Sequence, residues 1–588
     1  PTNPHELLMS FQYLLSSTDR AVHWRKISPD LTLDPNPRTK DERDQAQFAA
    51  IMSFSASPIA AGVIWAGTSN GLIHVTKDHG KTWENVSIPR ISGQSHANVS
   101  FVEASHTNPA EAYAVVGVVI ANEFKPHLYR TKDLGSSWSE IGKDLLKGEE
   151  DARGLSVIRS DAKRPGLLFG MNGKSVYVSF NDGDNWQLLS LNLPTTALSD
   201  LVIHGDDLVL GTFGRGIWIL DDYSPLREIS PITASEPAHL FKPGLAYRLR
   251  RNVNDDTPFP PEIPHAENPP LGAVVYYSLA TKPAENVKVE IVDAHGHVIR
   301  HFSSAPIEPY DDHAPPVATY WPENRKPIPS TIGLNRINWN IRYDTPLAFN
   351  HDVGDVMGAI PGDTPAAIEG PLAPPGVYTV KLIVDGKTYS QKLTVDNDPR
   401  SPATSRELEL EHRFRLNILA GIQEAWDGYH QIASLRTSLA SIVNSKPSDD
   451  IVKAAKEFDQ KLVSVGGTVV RIRRFYGPPQ PTNFVGLNGF LLTRLDSLDY
   501  GDVAPTEPMW ETYGSDWSKI KIVSDQWRSL QAKELVAFNV ALRKHGQKPI
   551  EVSGPKLVDP PAPNKRYLPK PDGVRPNVTL PPVPIGPG

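Results

Sequence analysis

The chain has 588 residues, 39% of them hydrophobic and 55 of them proline, and 67 acidic against 60 basic side chains leave a net charge of −7. A length beyond ~250 to 300 residues implies more than one core. No basic field marks a nucleic-acid partner, no apolar run reaches the ~20 residues of a transmembrane segment, and the absence of cysteine excludes disulfides, thiolate metal sites and thiol nucleophiles.

Residues 1–230 carry an eight-residue word, S/T-x-D-x-G-x-T/S-W. It runs from Thr76 through Asp78 and Gly80 to Trp83, from Thr131 through Asp133 and Gly135 to Trp138, and from Ser179 through Asp182 and Gly183 to Trp186. A worn copy spans Ser17 to Trp24. The tryptophans lie 59, 55 and 48 residues apart, a period typical of propeller blades or solenoid turns. Each word reads as a hairpin corner: the hydroxyl residue ends a strand, the acid bonds backbone N–H groups, glycine takes a positive φ, and tryptophan packs under the turn. Alternating apolar runs before each word, such as Leu7–Leu15, Ala112–Val119 with a hairpin excursion at Ile120–Pro126, and Leu167–Gly170, supply the strands. GTFGRGIWI at 211–219 is a near copy.

On these words, on GTFGRGIWILDD at 211–222, on ISPDLT at 27–32 and on PPGVYTVKLIVDGKTYSQKLTVDNDPR at 374–400, the chain resembles the Asp-box (bacterial neuraminidase repeat) β-propellers. Within that group it is most similar to a sortilin-like family of large secreted bacterial proteins often labelled glycosyl hydrolases. The resemblance implies a propeller, a secreted, periplasmic or cell-surface location, and either protein binding or polysaccharide hydrolysis. About four blades and a closing piece are legible, fewer than the sortilin-like propellers use. An open arc would expose strand edges and a blade face, so a missing N-terminal half, supplied by a second chain or cut from this one, is expected.

Residues 231–270 turn to Pro, Glu and Asn, with Pro258, Pro260, Pro261, Pro264, Pro269 and Pro270, and read as an extended linker. Period-2 alternation over 271–400, with Asp385-Gly386 between two alternating runs, predicts about seven antiparallel strands of an immunoglobulin- or fibronectin-like sandwich. Beyond Pro402 the period becomes 3.6. Thr404 and Glu407 form a candidate capping box, and Ile418, Ile422, Ala425, Tyr429, Ile432, Leu439 and Ile442 form one stripe. Residues 401–555 therefore read as an antiparallel helical bundle, with later helices near 449–465, 487–498 and 506–545. Trp517, Ile520, Trp527, Leu530 and Phe538 read as core. Residues 556–588 form a proline-rich tail able to lie along another surface. The fold class expected is mainly β with an α-helical C-terminal domain: a partial propeller, a sandwich and a bundle.

Glycoside hydrolysis needs two carboxylates about 5 to 9.5 Å apart across one sugar bond. Asp78, Asp133 and Asp182 belong to turns on the rims of different blades and read as structural. Asp206 with Asp207, Asp221 with Asp222, and Glu149, Glu150 and Asp151 are adjacent acids that point apart on a strand. Asp311, Asp312 and His313, and His351, Asp352 and Asp355, are acidic loops short of a calcium site. Asn85, Asn98 and Asn577 lie in N-x-S/T sequons. Arg215 is a candidate anion contact. The sequence assigns no catalytic residue, cofactor or metal. The reading favours a peptide- or protein-binding assembly subunit over a xyloglucanase-like hydrolase acting on polysaccharide.

Overall fold

The computed structural model describes all residues except 1, 34–47, 90–96, 118–125, 146–153, 251–258, 261, 264–268, 309–317, 319, 351–361, 363, 446, 471–480, 500 and 569–588. Two compact units result, Pro1–Ser230 and Pro231–Gly588.

The first unit is a series of antiparallel meanders packed one against the next. Sheet one holds β1 (Leu7–Ser10), β2 (Leu14–Ser17) and β3 (Arg25–Lys26), so the run read as one strand over 7–15 turns back at residues 11–13. Sheet two holds β4 (Ile51–Ala56), β5 (Ile64–Thr68), β6 (Ile73–Thr76) and β7 (Glu84–Asn85). Sheet three holds β8 (Asn98–Ala104), β9 (Ala112–Gly117), β10 (His127–Thr131) and β11 (Ser139–Ile141). Sheet four holds β12 (Val157–Ser160), β13 (Leu168–Met171), β14 (Val176–Ser179) and β15 (Gln187–Leu188). Sheet five holds β16 (Leu198–His204), β17 (Asp207–Thr212) and β18 (Ile217–Leu220).

Apolar layers lie between successive sheets, as the alternation of β-branched and aromatic residues demands. Leu14 and Ile27 meet Ile51 and Ile64; Trp65 and Val75 meet Val99 and Val102; Val115 and Ile141 meet Leu155 and Ile158; Phe169 and Val178 meet Leu201 and Leu210. The first strands of sheets two to five run side by side at one edge of the array. Ser53 and Ser55 on β4 accept from the N–H groups of Val102 and Ala104 at 3.0 Å, and Arg159 Nε on β12 donates to the Leu201 carbonyl at 2.8 Å.

The second unit begins with a two-sheet structure. Its sheets are β19 (Ala238–Leu240), β21 (Ala273–Leu279) and β24 (Gly333–Trp339), and β20 (Ala246–Arg248), β26 (Lys387–Asn397), β25 (Gly376–Val384), β22 (Lys288–Val292) and β23 (Val298–Ser303). Val275, Tyr277 and Trp339 from one sheet share a core with Val289, Val380 and Leu393 from the other. The stretch read as linker thus contributes two strands. Ala238 and Leu240, and Ala246 and Arg248, alternate buried with more exposed residues, a period-2 signal too short to stand out among the prolines. Asp385 and Gly386, at φ 47° and 77°, make the β25–β26 hairpin turn.

Helices follow: α1 (Ser405–Asn444), α2 (Asp449–Gly466), α3 (Phe484–Ser497) and α4 (Glu507–Leu530), which passes through one π turn at Gln531–Leu535 into α5 (Val536–Lys544). Thr404 and Glu407 close the capping box of α1, with Glu407 Oε2 accepting from Thr404 N at 2.8 Å. The α1 stripe of Ile418, Ile422, Ala425, Ile432 and Leu439 is buried against α2, α3 and α4. No helix among the described residues is long and apolar enough to cross a membrane.

Candidate functional site

The repeated turn is one hydrogen-bond pattern made four times. At the second copy, Gly80 N donates to Thr76 Oγ1 at 2.9 Å, Thr76 Oγ1 to Asp78 Oδ1 at 2.9 Å, and Thr82 N and Oγ1 to the Asp78 carboxylate at 2.9 and 2.6 Å. The Thr82 hydroxyl and N–H hold Asp78 down to about 2. Asp133 is lowered in the same way by Ser137, with Gly135 N on Thr131 Oγ1 at 2.9 Å. Outward, the turns grip the preceding sheet. Trp83 Nε1 donates to the Ile27 carbonyl at 3.0 Å and Trp138 Nε1 to the Val86 carbonyl at 2.7 Å. A Cβ on Gly80 would meet Ile27 O at 2.1 Å.

The last copy departs from the assignment of its acid. Asn181 holds the turn, accepting from Ser179 Oγ at 3.0 Å and Asn185 N at 3.0 Å, while Gly183 N donates to Ser179 Oγ at 2.9 Å. Trp186 Nε1 donates within its own turn, to the Gly183 carbonyl at 2.9 Å. Asp182, one position later at φ 63°, accepts instead from Tyr113 Oη at 2.5 Å and faces Lys132 Nζ at 2.6 Å and Arg130 at 3.0 Å. Burial, then the bond to Asp182, raises the Tyr113 hydroxyl; the Asp182 bond raises Lys132. This cluster locks sheet three to sheet four. The turn selects by position, so Asn181, which stands where Asp78 and Asp133 stand in their copies, holds it in place of the neighbouring acid.

At the edge formed by the first strands lies a ladder of charges that sequence reasoning missed. Arg159 on β12 donates to Glu103 Oε2 on β8 at 3.1 Å and lies 3.6 Å from Asp200 Oδ1 on β16, with its guanidinium 4.8 Å from the Phe101 ring centroid. His106 Nε2 stands 3.5 Å from Glu103 Oε1. Glu103 is 4% exposed. Burial pushes its carboxyl up to about 7, although the Arg159 charge opposes the shift. Burial, reinforced by Arg159, lowers His106. Asp200 is open to solvent. The arrangement gives a carboxyl that titrates near neutrality, a guanidinium and a second, solvated carboxylate in one file across three sheets. The signal available in the sequence was a charged residue inside each of three apolar first strands.

The other candidates are tied elsewhere. Asp206 accepts from Lys163 at 2.6 Å and Arg227 at 2.7 Å; Asp207 Oδ1 accepts from Asp222 N at 2.9 Å; Asp222 Oδ1 accepts from Ser224 N at 3.1 Å. Arg215 sits exposed at the β17–β18 turn, its N–H donating to Thr212 Oγ1 at 3.1 Å. Glu149, Glu150, Asp151, the excursion at 120–125, Asp311, Asp312, His313, His351, Asp352, Asp355 and Asn577 lie outside the described residues.

No family model matches the chain, and no curated protein matches it. Among solved structures, YCF48 from Cyanidioschyzon merolae aligns at 17% identity and TM-score 0.21 over 27% of this chain and 49% of that one. YCF48 bound to D1 peptide aligns at 15% identity and TM-score 0.22 over 38% and 77%. The GH74 xyloglucanase from Xanthomonas campestris aligns at 18% identity and TM-score 0.28 over 39% and 36%. The chain thus spans about half or less of the first and third of these proteins. At such scores the likeness is too low to argue for any activity.

Proposed function

We propose that the chain is a binding and assembly protein, sortilin-like in its Asp-box blades and carrying an immunoglobulin- or fibronectin-like sandwich, whose blade array is completed by further blades on the same or a second polypeptide. One observation carries this reading. The residue rows Ser55–Trp65–Val75, Glu103–Tyr113–Arg130 and Arg159–Phe169–Val178 are equivalent by register, and each faces the next sheet. Trp65, Tyr113 and Phe169 are buried there. The matching row of sheet five is Val202–Val209–Ile219, where Val202 and Ile219 are 44% and 53% exposed, beside Ile217 at 73%. A bare apolar face of blade-packing composition is made for another blade. The charge ladder at the first-strand edge then meets a peptide or protein ligand bearing a cation opposite Asp200.

The test is native mass spectrometry of the protein isolated from its own source, with every component's N-terminus sequenced. The expected result is either a continuation of this chain carrying the same turn words, or a separate partner that carries them and is lost from an Ile217→Lys/Ile219→Lys variant. A lone, stable, monomeric 588-residue chain would overturn it.

Glu103 favours a second reading, a glycoside hydrolase of the xyloglucan-active type, since a carboxyl near neutral pKa suits a general acid and Asp200 supplies a second carboxylate. Release of reducing ends from xyloglucan by the wild-type chain, abolished in Glu103→Gln, is its expected signature. No turnover on xyloglucan or related β-glucans removes it.

A further inference from the structure

The helical bundle carries a peptide groove that is already filled. Beyond α5 the chain returns along α1 and α4. Asn539 exchanges two 2.8 Å hydrogen bonds with the backbone of Ile550, Ser434 and Ser553 hydroxyls meet at 2.6 Å, and Gln431 donates to the Pro555 carbonyl. Then comes Asp559-Pro560-Pro561-Ala562-Pro563. Pro560 and Pro563 are buried and Pro561 and Ala562 exposed, the three-residue repeat by which a polyproline II segment presents one face. The consecutive carbonyls of Pro560 and Pro561 accept from Trp517 Nε1 at 2.9 Å and Tyr513 Oη at 2.6 Å. The acid in front of the prolines pairs with Arg528 and lies 3.4 Å from Lys521 Nζ, cations that Asp525 shares. Four residues past Pro563, Tyr567 stacks on Trp510 with ring planes 19° apart and centroids 6.0 Å apart. The carbonyl of Tyr567 passes so close over Gly514 that a Cβ there would meet it at 1.9 Å.

Aromatic N–H and O–H donors reaching proline carbonyls, with a P-x-x-P face seated among rings and a charge pair at one end, make up the chemistry of polyproline recognition. Proline carbonyls are fixed acceptors with no competing N–H, so the segment binds at low conformational cost. We infer that the α1–α4 face of the bundle is a recognition groove for an acidic-proline segment of the form D-P-x-x-P followed by an aromatic residue, held here by the chain's own residues 558–567. The partner it fits is such a segment presented in trans, whose binding requires the cis segment to leave. This inference stands apart from the blade-assembly reading and uses none of its residues.

The test uses the full chain. Asp559→Lys/Pro563→Asp puts a cation beside Arg528 and Lys521 and a carboxylate into the buried proline seat, which frees the cis segment. Binding of a fluorescein-labelled peptide of residues 556–568 is read by anisotropy on both chains. The expected result is binding to the variant at least about tenfold tighter than to wild type, because a tethered cis competitor acts at millimolar effective concentration. A peptide carrying Asp559→Lys should bind the variant at least about tenfold more weakly. Wild-type dimers that dissociate when excess peptide is added would also support the groove and identify a second copy as the trans source. The inference falls if the variant keeps its helical circular dichroism and binds no peptide, or if wild type binds equally well. It falls too if the variant loses its helical signal, since a receptor survives the departure of its ligand.

Discussion

Arg159 and Glu103 sit on the first strands of neighbouring sheets, 56 residues apart in sequence and 3.1 Å apart in space, and the guanidinium also bonds the Leu201 carbonyl of the next sheet. One side chain therefore spans three sheets. Removing Arg159 takes away the charge that opposes the rise of the buried Glu103 carboxyl and leaves that carboxyl short of a donor, at a cost of roughly 1–3 kcal/mol. Arg159→Leu is expected to lower the unfolding midpoint of the first unit by that order, followed by tryptophan fluorescence in urea. Arg159→Leu combined with Glu103→Leu should recover most of the loss. A single substitution without effect would show that the ladder is not a structural bridge.

The same pair sets a pH dependence. Burial raises Glu103 to about 7 in the folded chain, against an unfolded value of ~4.3. Between these values the folded state binds the extra proton, so stability falls as pH rises from about 4.3 to about 7 and is level on either side. His106, lowered by burial, acts in the opposite sense, losing stability as pH falls through the imidazole range. The difference between wild type and Glu103→Gln isolates the carboxyl. Its midpoint of thermal unfolding should gain on wild type as pH climbs through this window. Parallel profiles would place Glu103 at an ordinary carboxylate pKa.

The four turns allow a comparison within one molecule. Copies two to four place glycine in the left-handed region, whereas the first places Ala21 there at φ 67° and keeps the pattern, with Ala21 N on Ser17 Oγ at 3.0 Å and His23 N on Asp19 Oδ1 at 2.9 Å. A left-handed conformation costs an ordinary L-residue about 1–2 kcal/mol. Ala21→Gly should therefore stabilise the first unit by roughly 1 kcal/mol. Gly80→Ala should destabilise it by more, because strain at φ 85° adds to the clash with the Ile27 carbonyl. Asn181→Ala should cost as much as Asp133→Ala, if position rather than charge governs the turn. Midpoints in urea decide each case.

What the sequence made legible follows the range of the interactions involved. The turns close through hydrogen bonds between residues no more than four apart, so Thr76–Trp83 and its copies stand out in one dimension. The α1 capping box and the Asp385-Gly386 hairpin are local for the same reason. The ladder of Glu103, Arg159 and Asp200 joins strands about 40 to 56 residues apart, and a charge inside an apolar strand marks each position without naming its partners. β19 and β20 are three residues each, shorter than a periodicity can declare itself, and their strand character comes from partners at 277–279 and 395–397. The proline-rich composition of the tail predicts that it lies along some surface; Trp517 and Tyr513 supply that surface from helix positions whose spacing alone reads as core.

Asp499, just beyond α3, gathers three arginines. It accepts from Arg250 Nη1 at 2.5 Å, Arg342 Nη1 at 2.6 Å and Arg415 Nη1 at 2.5 Å, joining the sandwich to the bundle within the second unit. Burial works against ionisation of Asp499, but the charges of Arg342, Arg415 and Arg250 outweigh it and hold the carboxyl far below its ordinary value. The sign is that of a depressed acid: the stabilisation is fully present above the unfolded pKa of ~3.9 and is lost as pH falls toward the folded value. Asp499→Asn leaves three largely buried guanidinium groups short of one anion, at a cost of roughly 3–5 kcal/mol at neutral pH. Helical circular dichroism against urea should show that full gap from pH 7 to about 4 and a narrowing gap below it, as wild type loses the charge the variant already lacks. A gap independent of pH would mean that the Asp499→Asn variant loses only hydrogen-bond geometry, and that the ion network does not hold the two parts of this unit together.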